Sequence, residues 1–212
     1  MALYTIADLH LSCAVEKPMD IFGGNWQGYT EKIQKNFETL LTPEDTVVLG
    51  GDISWGINLQ EAQLDFAFLD RLPGRKIILK GNHDLWWNTM NKMQKFLEEN
   101  HFTTIHFLHN NCYFYGKTAI CGTRGWFYEE EFKEQNDEKI FKRELLRLEA
   151  SLKAAKAQGA EEIYCFLHYP PVYANFRCRE ILDLMRQYGV SKCIYGHLHG
   201  KSHRYALSLI HI

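Results

Sequence analysis

The residues of this chain best suited to chemistry fall into five short groups: Asp8-Leu9-His10, Gly51-Asp52, Gly81-Asn82-His83-Asp84, His168, and Gly196-His197-Leu198-His199. Imidazole nitrogens and hard oxygen donors suit Mn, Fe, Zn or related divalent ions, and the lack of clustered thiolates argues against an iron–sulfur centre. A histidine set among such donors, as His83 is beside Asn82, is also a candidate proton donor. Taken singly, each histidine fits a structural role, and Asp8, Asp52 and Asn82 fit turns. The weight lies in the joint pattern.

Each group follows a run that reads as a strand. Tyr4–Ala7 leads into Asp8, Thr46–Leu49 into Gly50-Gly51-Asp52, Lys76–Leu79 into the Asn82 group, Ile163–Leu167 into His168, and Lys192–Tyr195 into Gly196. Short apolar runs bounded by glycine are what buried parallel strands look like, and open α/β sheets carry their ligand sites at the C-terminal strand ends. Gly51, Gly81 and Gly196 permit sharp turns there. Crossover helices are predicted between the strands. One has Thr30 as its cap, Ile33, Phe37, Leu40 and Leu41 on one face, and Pro43 beyond its end. A second opens on an Asn58/Glu61 capping box and runs through Leu69 and Leu72 toward Pro73-Gly74. A third carries Met90, Met93 and Leu97 and ends near Asn100. Before the first helix, residues 12–28 form a long loop with Pro18, Gly23, Gly24 and Gly28, suited to binding or to a lid.

After residue 104 the period changes. Ile105–Leu108, Cys112–Tyr115 and Thr118–Cys121 are short β-rich runs with a Gly116-Lys117 hairpin turn, which implies a second sheet or an antiparallel edge. The charged stretch 129–144 merges into a long helix ending before Gly159, with Leu145, Leu148, Leu152 and Ala155 as its buried stripe.

At 212 residues, 46% hydrophobic and 24% charged, the chain fits one ordinary globular domain. A net charge of -2 and a pI near 6.5 give no broad electrostatic reason for a nucleic-acid partner. No basic leader and no apolar run of membrane-spanning length is seen, so the expected location is cytoplasmic, with no membrane partner. The six cysteines (13, 112, 121, 165, 178, 193) form no Cys-x-x-Cys pair and read as reduced, mostly core residues.

Taken together and in this order, the five groups resemble the calcineurin-like metallophosphoesterase family over residues 1–200. The resemblance implies a four-layer α-β-β-α sandwich of two mixed sheets and two adjacent divalent metals, Mn first, with Fe or Zn as alternatives. It implies Asp8, His10 and His199 on one metal, Asn82, His168 and His197 on the other, and Asp52 bridging both. It implies a metal-bridging hydroxide that attacks a small-molecule phosphate ester, with His83 as the catalytic residue that stabilises the phosphate or protonates the leaving oxygen. The alternatives are a catalytically silent scaffold of the same fold binding a protein partner, and a nuclease.

The family commonly reads Gly-Asp-x-x-Asp at its second motif, the last Asp partnering the catalytic His. Here the motif is Gly51-Asp52-Ile53-Ser54-Trp55, and an indole cannot accept that hydrogen bond. Asp84 is left either to orient His83 or to cap the next helix. Arg124 is expected in a surface ion pair rather than on phosphate, and Trp86 and Trp87 in the core. The chain stops 13 residues after His199, where the family continues with further strands. The domain is therefore expected to span 1–206 and to lack C-terminal strands, with 207–212 a non-native tail whose residues match a translated transposon-end adaptor.

Overall fold

Val47, Val48 and Leu49, with Ile77 and Ile78, are at most 1% exposed, as central strands of a parallel sheet are when both of its faces are covered. They belong to the first of two units in the computed structural model, which describes residues 1–126, 135–174 and 176–199. The first unit comprises Met1–Ile78 and Asn82–Phe107, the second Leu79–Gly81 and Leu108–Ile212.

In the first unit, β1 (Leu3–Ile6), β2 (Thr46–Leu49), β3 (Arg75–Ile78) and β4 (Ile105–Phe107) lie side by side in chain order, every pair parallel. Parallel neighbours need crossovers, supplied by α1 (Tyr29–Leu40), α2 (Leu59–Arg71) and α3 (Met90–Glu99). The capping box is present: the Asn58 side chain accepts the Glu61 amide at 3.0 Å, and the Glu61 carboxylate accepts the Ile57 amide at 3.0 Å. Thr30 is not the cap of α1. Gly28 holds that position at φ 59°, and the Thr30 hydroxyl turns to Glu31 instead. The incoming loop enters the helix through a left-handed residue, which glycine adopts without a Cβ clash. Phe37 is buried and Ile33 and Leu41 pack on the core, but Leu40 is exposed. Met93 and Leu97 are buried as expected, and Trp86 packs edge-on against Phe66 at 4.9 Å in the middle of the core.

The second unit is where mixed pairing occurs. Its strands are β5 (Tyr113–Tyr115), β6 (Thr118–Thr123), β7 (Glu162–Leu167) and β10 (Lys192–Tyr195), in the order β10-β7-β6-β5. Among the described strands of this sheet, β5 and β6 form the antiparallel pair, joined by the two-residue Gly116-Lys117 turn next to the Tyr115–Thr118 pair. A small ribbon of β8 (Val172–Tyr173) and β9 (Phe176–Arg177) follows β7. The long helix α4 (Gln135–Ala157) buries Leu148, Leu152 and Ala155, and α5 (Arg179–Gln187) buries Ile181, Leu182 and Met185. Cys121, Cys165 and Cys193 are in-register neighbours on β6, β7 and β10, all buried, and all six cysteines are free thiols. The start of the charged stretch, 129–134, and the expected tail, 207–212, lie outside the described residues. Among the described residues no helix is long and apolar enough to cross a membrane.

Candidate metal centre

The C-terminal ends of β1, β2 and β3 stand in register at Ile6, Leu49 and Ile78. The loops that follow continue the pairing by another route. The Asp8 amide donates to Gly51 O, the His10 amide to Asp52 O and the Leu11 amide to Ile53 O, each at 2.9 Å, and the Trp55 amide returns to Leu11 O. This lacing requires unusual backbone. Asp8, His10 and Asp52 sit at φ 58°, 46° and 55°, a left-handed conformation that costs a non-glycine residue roughly 1–2 kcal/mol. Such strain persists where surrounding bonds over-determine it, and it clusters at functional sites.

Asp52 lies at the centre of this group of loops, 1% exposed. Its Oδ1 accepts the His83 amide at 2.8 Å, and its Oδ2 is 3.8 Å from His10 Nε2. Burial, then the carboxylate of Asp84, then that of Asp8 push the Asp52 carboxyl up to about 8, against the pull of the His83 and Asn82 amides. An oxygen of Asp8 and a ring nitrogen of His10 lie within 4.8 Å of each other. Buried carboxylates crowded in this way hold their charge only if a cation joins them. Two donors on one divalent ion at bond lengths of about 2.0–2.2 Å stand roughly 3–4 Å apart, the range of the Asp52 and His10 separation. The donor set therefore fits a hard or borderline divalent ion.

Asp84 does not cap α3. It is fully buried, and its carboxylate accepts the amides of Asp52 at 2.9 Å and Ile53 at 2.8 Å and the Trp86 indole N–H at 3.0 Å. The residue at the start of α3 is Thr89. Asp84 is the clamp on the turn that carries Asp52. A second brace, Asp65, went unnoticed in the sequence. Its carboxylate accepts the Ser54 hydroxyl at 2.5 Å and the Cys13 amide at 2.8 Å. The signal was available: Asp65 stands on the α2 face shared by Ala62, Phe66 and Leu69, where a carboxylate needs hydrogen-bond partners.

Trp55, at the position of the family's carboxylate, stacks on the His10 ring at 4.8 Å and 23°, and its ring centre is 4.6 Å from that of His83. Both imidazoles lie against the face or edge of this indole. Trp26 meets His10 edge-on at 6.1 Å, and the Tyr29 hydroxyl donates to His10 O at 2.9 Å. Asn82 and His83 are half-buried in the loop after β3.

In the second unit, three histidines stand after strand ends. His168 follows β7 and is fully buried; His197 and His199 follow β10, half-buried and exposed respectively. His197 Nδ1 is 3.3 Å from His168 Nε2, His197 sits at φ 70°, and the Tyr169 ring lies 4.6 Å from that of His197. The amides of His168 and Tyr169 both donate to Arg124 O. Arg124 is in an ion pair, but a buried one. Its guanidinium is 3.7 Å from Glu144, a residue 1% exposed that also takes Arg147 at 2.6 Å and the Thr123 hydroxyl at 2.5 Å.

Comparison with known proteins places this geometry in context. The family profile described as calcineurin-like phosphoesterase matches residues 1–201. Among solved structures, phosphopantetheinyl hydrolase from Mycobacterium tuberculosis is similar at 17% identity, covering 93% of this chain and 82% of that one, with a TM-score of 0.53. The protein TT1561 of Thermus thermophilus is similar at 12% identity, covering 91% and 80%, with a TM-score of 0.56. At these identities the likeness is one of fold. Comparison with curated proteins yields no match.

Proposed function

Because this chain belongs to the calcineurin-like phosphoesterase family, we propose that it hydrolyses small-molecule phosphate esters with the help of two divalent cations, Mn first, with Fe or Zn as alternatives. Asp8, His10 and His199 would hold one, Asn82, His168 and His197 would hold the other, and Asp52 would be shared by both. Such a pair, when bound, supplies an acidified water and offsets the charge of the phosphate oxygens. The rest falls to the chain's own side chains. His83, half-buried and fixed by its amide on Asp52 and its ring against Trp55, delivers a proton to the leaving oxygen. Asp84 keeps the Asp52 turn in shape.

The observation that carries this reading is the buried Asp52 carboxylate, pressed by Asp84 and Asp8 and standing 3.8 Å from His10 Nε2. A panel of aryl phosphate mono- and diesters, assayed with Mn and with chelator, tests it. Mn-dependent turnover that disappears in Asp52→Asn is the expected result. Stoichiometric Mn binding with no turnover of any ester favours the silent scaffold instead.

A further inference from the structure

One charged side chain beside this site has no part in the proposed hydrolysis. Lys17 lies exposed in the loop 12–28, and its ammonium is 5.3 Å from the centre of the Trp55 ring. Among the described residues no carboxylate comes within ion-pair distance of it. The ring beneath it is the same indole that stacks on His10 and lies 4.6 Å from His83. The loop is tethered rather than loose. The Cys13 amide donates to Asp65 at 2.8 Å, the Gly28 amide to Asp20 at 2.7 Å, the Lys17 amide to Val15 O at 2.9 Å, and the Tyr29 hydroxyl to His10 O.

The chemistry of residue 55 decides what this arrangement does. A carboxylate there would pair with the lysine and cancel its charge. An indole attracts the ammonium by roughly 0.5–1 kcal/mol at an exposed position and leaves the full charge available to a ligand. The charge of the phosphate being cut is already answered by the cations and His83, so Lys17 is free for a different group. Lys17 and His83 are both neighbours of the Trp55 ring, and in the hydrolase reading His83 serves the leaving group. We propose that Lys17, parked on Trp55, is a specificity-determining residue that selects phosphate esters carrying a second anionic group, a carboxylate or a further phosphate, on the leaving side. This assignment rests on the hydrolase reading above for the direction of the leaving group.

Calorimetric titration of the Mn-loaded protein with 3-phosphoglycerate and with glycerol 3-phosphate, which differ by one carboxylate, tests the assignment without relying on turnover. The unaltered protein is expected to bind the former about tenfold more tightly, and Lys17→Met to bring the two within about twofold while leaving glycerol 3-phosphate unchanged. Lys17→Arg should retain the preference. Lys17→Met weakening both ligands alike, leaving their ratio untouched, or no binding of either ligand to the unaltered protein overturns the proposal. A lysine-dependent ratio in a protein that cleaves no ester upholds the anion site and sinks the hydrolase reading alone.

Discussion

The two edges of the first sheet both bury charge, and they handle it differently. At the N-terminal edge Lys76 on β3 is fully buried, yet its ammonium donates to Leu72 O and, at 3.1 Å, to the Thr104 hydroxyl, with Asp70 close by. At the C-terminal edge Asp52 and Asp84 are equally buried, and Asp8 adds a third carboxylate. One edge answers its charge with the protein's own groups. The other gathers three carboxylates beside an imidazole, a donor set that fits a cation from outside. A buried ion is thus no sign of function by itself; carboxylates gathered with an imidazole at a strand end are a better one.

The sharpest way to break the contrast is at the clamp. Asp84→Ala leaves two amides and an indole N–H without their acceptor, and should lower stability by about 4 kcal/mol, measured by urea unfolding. Next comes Asp52→Asn, whose effects should have opposite signs in the two states of the protein. Mn affinity should fall more than about 100-fold, beyond what is typical for losing a supporting residue. The metal-free protein at pH 8 should become more stable, because a neutral amide removes the repelled carboxylate. Equal destabilisation with and without Mn contradicts the account.

The pH dependences of the two edges should also oppose each other. Asp52 has a folded value near 8 and an ordinary unfolded value of 3.8. The folded state therefore binds the proton more tightly, and metal-free stability should fall as pH rises from about 4 to about 8, levelling above. Saturating Mn should flatten that slope in denaturation midpoints. Lys76 is lowered by burial from 10.5 to about 8, with Asp70 opposing. Its folded state disfavours the charge, so the deficit is full below about 8 and fades as pH rises toward 10.5. The smallest effect follows: relative to Lys76→Met, the unaltered protein should gain about 2 kcal/mol between pH 7 and pH 10. No gain, or a loss, removes the buried-ammonium side of the comparison.

Much of the candidate site was legible because donor type and strand end are both local facts. Asp8, His10, Asp52, Asn82 and His83 meet around the ends of β1, β2 and β3, as their positions after apolar runs imply. What stayed hidden depends on distant partners. Asp84 was open between two local roles because the amides it binds lie some thirty residues upstream. Trp55 looked like a missing acceptor; its stacking needs the loop that carries His10. Arg124 looked superficial because Glu144 reaches it from α4. Lys76 read simply as the polar start of a strand. The start of α1 was misplaced because Gly28 takes a backbone conformation that a capping preference alone does not reveal.

The left-handed backbone at Asp8, His10, Asp52 and His197 has a consequence for how this protein would change if its chemistry were no longer needed. A glycine would rest more comfortably at each of these positions than the residue now there. The easiest gains in folding therefore run through substitutions that erase the donors, and a laboratory selection for heat resistance alone should drift toward an inert protein.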